Sequence, residues 1–178
     1  MAKDIACLRG INVGGNKKLP MAKLRSVFEE SGFINVRTVL ASGNITFEAR
    51  KENPSALAKK IAAKLEESFD FAIPVILRNA DEIGKIGESN PFKDIEVKKD
   101  TRLYLTFLAE EPKSSLRIPY TSPDKSFSIL KLDDKMIFSV LDLAKAGTPD
   151  AMTILEKEFG KNITTRNWNT IIKSIHKL

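Results

Sequence analysis

The chain has 178 residues, 42% hydrophobic and 29% charged, enough to bury a core without covalent staples. One cysteine, Cys7, and one histidine, His176, exclude an internal disulfide and any zinc site of standard type. Its net charge is +6, no apolar run approaches a membrane span and residues 1 to 25 do not read as a secretory leader, so a cytoplasmic protein with no membrane partner is expected.

In chain order, Asp4 to Arg9 reads as a short buried strand, followed by a polar, glycine-rich loop from Gly10 to Leu19. Pro20 suits the first turn of a helix, along which Met21, Leu24, Val27 and Phe28 recur at helical spacing, and Gly32 stops it. Ile34 to Leu40 and Ile45 to Phe47 read as strands joined by the turn Ala41-Ser42-Gly43-Asn44. Pro54 opens a second helix with Leu57, Ile61, Leu65 and Phe69 on one face, and Ala72 to Leu77 is a strand. Strand, helix, strand, strand, helix, strand is the order of the split β-α-β, ferredoxin-like arrangement. It predicts a first domain over residues 1–80. It also predicts that Gly10–Leu19, the turn at Ser42–Asn44 and the entry to the fourth strand share one sheet edge.

Residues 81–178 read as a second α+β unit packed on the first. Asn79 to Gly87 has the pattern of a short helix ended by Asn90-Pro91-Phe92, and Arg102 to Leu108 alternates as a strand. Glu111 to Asp124 reads as an exposed connection. Phe127 to Leu132 and Met136 to Leu141 form a hairpin around Asp133-Asp134. Asp150 to Phe159 and Arg166 to Leu178 read as two terminal helices, with Thr165 as an N-cap. The overall class is α+β.

The placement of charge says more than its total. No Asp or Glu occurs between Ile5 and Phe28, where Arg9, Lys17, Lys18, Lys23 and Arg25 lie. None occurs between Phe159 and Leu178, which holds Lys161, Arg166, Lys173 and Lys177. Unneutralised positive charge attracts phosphate and carboxylate groups; scattered lysines also simply keep a protein soluble. Gly10-Ile-Asn-Val-Gly14-Gly15-Asn-Lys17-Lys18 has the Walker A glycine spacing, but Asn16 stands where the lysine belongs, and G-x-G-x-x-G does not fit either. A loop so rich in glycine still lets backbone N–H groups approach an anion, ahead of a helix start whose dipole favours one. A tightly turning surface loop explains the same glycines. Cys7, mid-strand among apolar residues, reads as a packed small hydrophobe, and Asp133-Asp134 as turn chemistry. Trp168, with Ile171, Ile172 and Ile175, follows a buried helical stripe and reads as core.

Arg-Gly-Ile-Asn-Val-Gly-Gly at 9–15, Leu-Pro-Met at 19–21, Ser-Gly-Asn at 42–44, Asn-Pro-Phe at 90–92 and Thr-Arg-Asn-Trp-Asn-Thr at 165–170 resemble the bacterial domain of unknown function family 1697. The resemblance runs the length of the chain. It implies an α+β fold with a ferredoxin-like part and implies no activity. It departs at Gly15-Asn16-Lys17-Lys18, where a Lys or His followed by Asn is the pattern.

The residues themselves nominate a ligand-binding set: Arg9, Asn12, Gly14, Gly15, Lys17, Lys18, Ser42, Asn44, Arg166 and Asn169. The leading expectation is a small anionic ligand, a nucleotide or phosphorylated metabolite, bound in one polar concavity, with no metal and no resident cofactor. Nucleic-acid binding is a rival, but the first strand, Ile5-Ala6-Cys7-Leu8, has no aromatic to stack a base and the third offers only Phe47. That leaves the backbone-electrostatic form. An enzyme of unspecified reaction using Arg9, Asn12, Ser42 and Asn44, and a protein-interaction module without a ligand, remain open.

Overall fold

The computed structural model describes residues 1–12, 15, 17–39 and 43–176. They fold as two compact units, Met1–Ser89 with Ile172–Leu178, and Asn90–Ile171. The helix that opens after the fourth strand therefore belongs to the first unit, as does the end of the chain. No helix among the described residues is long and apolar enough to cross a membrane.

In the first unit, β1 (Ala2–Leu8), α1 (Met21–Glu30), β2 (Ile34–Val39), β3 (Asn44–Ala49), α2 (Pro54–Phe69) and β4 (Val75–Asn79) follow the expected order. Their sheet has the order β2-β3-β1-β4, every neighbouring pair antiparallel. That is the arrangement the strand–helix order predicts. The fourth strand starts three residues later than expected, after Pro74, because a proline cannot donate to the ladder.

Alternation along the strands decides which side chains face the helices. Ala6, Leu8, Ile45, Phe47 and Leu77 on one face join Leu24, Val27 and Phe28 of α1 and Leu57, Ile61 and Leu65 of α2 in one core. Each large apolar side chain so buried contributes roughly 1.5–3 kcal/mol. Phe28, Phe33 and Phe47 close one end of it as tilted and edge-on ring pairs, with centroids 4.7 to 5.7 Å apart. The opposite-parity residues Ile5, Cys7, Asn44, Thr46 and Ile76 are buried too. Cys7 is thus the packed core residue its context suggested.

Side-chain oxygens cap two of these helices. Asn53 accepts from the N–H groups of Ser55 and Ala56 at the start of α2. Asn79 does the same for Asp81 and Glu82 at the start of α3 (Ala80–Ser89). At the sheet border, β2 is irregular. The pairing register with β3 shifts between Ile34 and Arg37, Asn35 takes a φ of 54°, and its amide donates to Glu48 at 3.0 Å.

The second unit holds a five-stranded antiparallel sheet of order β6-β7-β8-β5-β9. Its strands are β5 (Thr101–Leu108), β6 (Tyr120–Thr121), β7 (Phe127–Asp133), β8 (Met136–Asp142) and β9 (Ile163–Asn167). The hairpin β7–β8 forms as expected, but its turn pair is Asp134-Lys135, both with positive φ, the conformation that matches the twist of the strands. The connection Glu111–Asp124 is not wholly irregular, since Tyr120 and Thr121 pair with Ile129 and Ser128. One face packs under α4 (Thr148–Phe159), where Tyr104, Ile129, Ile137 and Leu141 meet Ala151 and Leu155.

The largest departure from the sequence reading is at the end of the chain. Residues Ile163–Asn167 are strand β9, paired with β5, and α5 spans Trp168–Ile175. Thr165 is therefore not an N-cap: its hydroxyl lies 2.8 Å from that of Thr106 across the ladder. The residue whose side chain accepts at the helix start is Asn167, from the N–H of Asn169. The cause is the β-branched run Ile-Thr-Thr, which favours a strand wherever an edge is available to pair with. Trp168 is buried, as expected, in edge-on contact with Phe92 and Phe138 at 5.3 and 6.3 Å. That contact, with the turn in which Asn90 accepts from the Phe92 N–H, accounts for the Asn-Pro-Phe string.

Candidate functional site

The predicted sheet edge forms. At the end of β1, the Leu8 N–H donates to the carbonyl of Gly43 in the turn before β3, at 2.9 Å. The next residue, Arg9, donates its N–H to the carbonyl of Pro74 at the entry to β4, at 3.0 Å. Two consecutive amides thus tie the start of the glycine-rich loop to both neighbouring connections. Gly43 has φ +73°, and a Cβ there would stand 2.7 Å from Ile11 Cδ1 and 3.3 Å from Leu8 Cβ. The absence of a side chain at 43 is what lets Ile11, almost fully buried, fold down against the turn.

From there the loop turns sharply. Gly10, Asn12, Gly15 and Lys17 all have left-handed φ values between 50° and 79°. Asn12 closes the turn, its N–H donating to the Lys17 carbonyl at 3.2 Å and its Oδ1 accepting from the Leu19 N–H at 2.9 Å. The Asn12 oxygen, nominated as a ligand contact, therefore holds the loop to the start of α1. Leu19 is buried, whereas Gly15, Lys17 and Lys18 are exposed and Arg9 is half-buried. The α1 N-terminus follows at Pro20, with no side-chain capping bond among the described residues and no acid in its first turn. Its free N–H groups and dipole leave partial positive charge at this edge.

Two lysines of this region rest on rings from the end of α2 and the connection that follows it. The Lys17 ammonium lies 5.5 Å from the centroid of Phe71. Lys23 lies 4.8 Å from that of Phe69 and also donates to the Ser68 carbonyl at 2.7 Å. Sequence reasoning missed Phe69 and Phe71 as members of the edge. No local pattern announces a contact between residues more than 40 positions apart.

The other nominated residues divide. Gly14 and Ser42 lie outside the described residues. Asn44 is fully buried at the head of β3, paired with Cys7 and Val39, and so supports the turn from within. Arg166 and Asn169 belong to the second unit. Arg166 stands on β9 rather than at a helix start, and its guanidinium donates to the Thr164 hydroxyl at 2.8 Å and to the Thr165 carbonyl at 3.0 Å. Asn169 is exposed in the first turn of α5.

Two clefts lie away from this edge. One of about 350 Å³ in the first unit has Phe33, Leu57 and Ile61 on its floor, with Lys60 and Lys64 on its rim. Both lysines are already paired, with Glu52 at 2.6 Å and Glu67 at 3.0 Å. Another, of about 280 Å³ in the second unit, is lined by Glu110, Glu111 and Glu158 with Lys113 and Lys161. No group of three or more potential metal ligands occurs among the described residues. His176 is exposed, in the turn just past α5.

The model of the family DUF1697, described as protein of unknown function, matches residues 1–138. No curated protein matches. Among solved structures, the conserved bacterial protein SP0830 from Streptococcus pneumoniae is similar, with a TM-score of 0.69 at 20% identity, covering 99% of this chain and 98% of that one. At that identity the likeness speaks for the fold alone.

Proposed function

The chain belongs to the DUF1697 family, and from that premise we propose that it binds a small anionic ligand, a nucleotide or a phosphorylated metabolite, at the edge around Arg9–Lys18. The observation that carries this reading is the pair of backbone bonds, Leu8 to Gly43 and Arg9 to Pro74. They gather three connections where the chain from Ile5 to Phe28 contains no carboxylate. Arg9, Lys17 and Lys18 supply the charge, and the uncapped start of α1 supplies backbone donors. Asn12, Gly43 and Asn44 hold the loop and turn in place. The ligand is held by oriented N–H groups and cations, so the reading requires no metal and no nucleophile.

A thermal melt in the presence of pyrophosphate, ADP and sugar phosphates, at constant ionic strength, tests it. A ligand at one hundred times its Kd stabilises the native state by about 2.7 kcal/mol, which for a chain of this length is roughly 5–11 °C. Arg9→Ala combined with Lys18→Ala is expected to abolish that shift while leaving the unliganded melt within about 2 °C, since neither side chain is buried in the core. A panel in which no anion raises the melting temperature removes the proposal.

A further inference from the structure

The rings beside the basic loop carry a narrower inference about what the anion is attached to. It rests on the proposed anion site and extends it. Phe71 is half-buried, packed against the core of the first unit. The ammonium of the exposed Lys17 lies over this ring, 5.5 Å from its centroid. Phe69 stands 6.5 Å from Phe71, but its covering lysine, Lys23, is fixed a second time by the Ser68 carbonyl. The two ring–lysine pairs therefore differ in how easily they open. An exposed cation–π contact is weak, and an ammonium gains more from a phosphate than from a ring.

We infer that the ligand of this edge is a mononucleotide, its phosphates held by Arg9, Lys17 and Lys18 and its base stacked on the face of Phe71 that Lys17 vacates. The exchange is self-consistent: the cation that leaves the ring is the one the phosphate recruits, and the ring it uncovers is flat, apolar and fixed from behind. An aliphatic phosphate recruits the same lysine but leaves Phe71 with nothing to stack. The ring also explains how a chain whose first strand has no aromatic obtains a platform for a base. It comes from the connection after α2 instead of from the sheet.

Calorimetric titration with ADP and with inorganic pyrophosphate, without divalent metal, separates the two parts. Base–aromatic stacking raises affinity by about 5- to 140-fold, and for one half-buried ring about tenfold in favour of ADP is expected. Phe71→Leu, which keeps an apolar side chain over the core, is expected to erase that preference and leave pyrophosphate binding unchanged. Phe69→Leu is expected to leave the preference intact. Equal affinities for ADP and pyrophosphate in the unaltered chain overturn the inference while the anion site stands, as does a preference that survives Phe71→Leu. Failure of both ligands to bind removes the anion site itself and the inference with it. A short oligoadenylate that binds more tightly than ADP overturns the assignment to a mononucleotide in favour of a nucleic-acid strand.

Discussion

Replacing Gly43 with alanine separates two demands that the turn before β3 makes on one residue. The first is conformational: at φ +73° an alanine stands in the left-handed region, which costs an L-residue about 1–2 kcal/mol. The second is steric. The new methyl group would lie 2.7 Å from Ile11 Cδ1, 3.0 Å from Ile11 Cγ1 and 3.3 Å from Leu8 Cβ. Rotating Ile11 relieves the first of these, but Leu8 Cβ is fixed to β1, so a backbone shift is needed, and overpacking of this kind costs about 1–3 kcal/mol more. Gly10 provides the control, because it has φ +70° with nothing within 4 Å of an added Cβ. Gly10→Ala is expected to lose only the backbone part. In denaturant titrations, Gly43→Ala should fall below Gly10→Ala by about 1–3 kcal/mol, or several degrees in a melt. Equal losses in the two variants would refute the claim that Ile11 seals the loop onto the turn.

Three further outcomes follow from other parts of the molecule. Ser139 is fully buried on β8, its cross-strand partners Tyr104 and Ile129 lie in the core under α4, and its hydroxyl has no hydrogen-bond partner among the described residues. Ser139→Ala is therefore expected to stabilise the protein by about 1 kcal/mol, and a lower melting temperature would contradict it. Burial raises the pKa of the Asp4 carboxyl above its ordinary value, with Glu82 and then Asp81 adding like charge. A raised acid pKa means the native state carries a penalty above that pKa, relieved as the group protonates. Asp4→Asn should thus be the more stable form at pH 7, with the advantage shrinking as pH falls through the folded-state pKa; an advantage independent of pH would refute the assignment. Cys7 is wholly buried, so an aromatic disulfide reagent should label it only after denaturant is added; fast labelling of the native protein would contradict its placement.

The first unit was legible because its punctuation is local. Pro20, Gly32 and Pro54 mark helix ends by what their backbones can do, and β-branched runs fall between them, so the order of elements and the shared edge followed. The end of the chain was misread for a physical reason: Ile163-Thr-Thr could cap a helix or extend a strand, and the choice depends on β5 being there to pair with. The candidate site was legible as a place more than as a set of contacts. Asn12 and Asn44 drew notice as polar residues in a special loop and turn. The structure gives the first a hydrogen bond to Leu19 and buries the second, so both act as supports. Phe71 went unnoticed because its relation to Lys17 exists only in three dimensions.

The irregular border strand β2 bears on how the protein behaves at the high concentrations of a cell. An open sheet invites a strand from another molecule to add to its rim, and Ile34, 47% exposed on that rim, would make such an addition apolar and sticky. The left-handed Asn35 breaks the row of evenly spaced donors and acceptors that a newcomer needs, and its side chain is already bonded inward to Glu48. A visiting strand can match the residues before the break or those after it, but not both. The β2 border is thereby a poor template for a propagating strand.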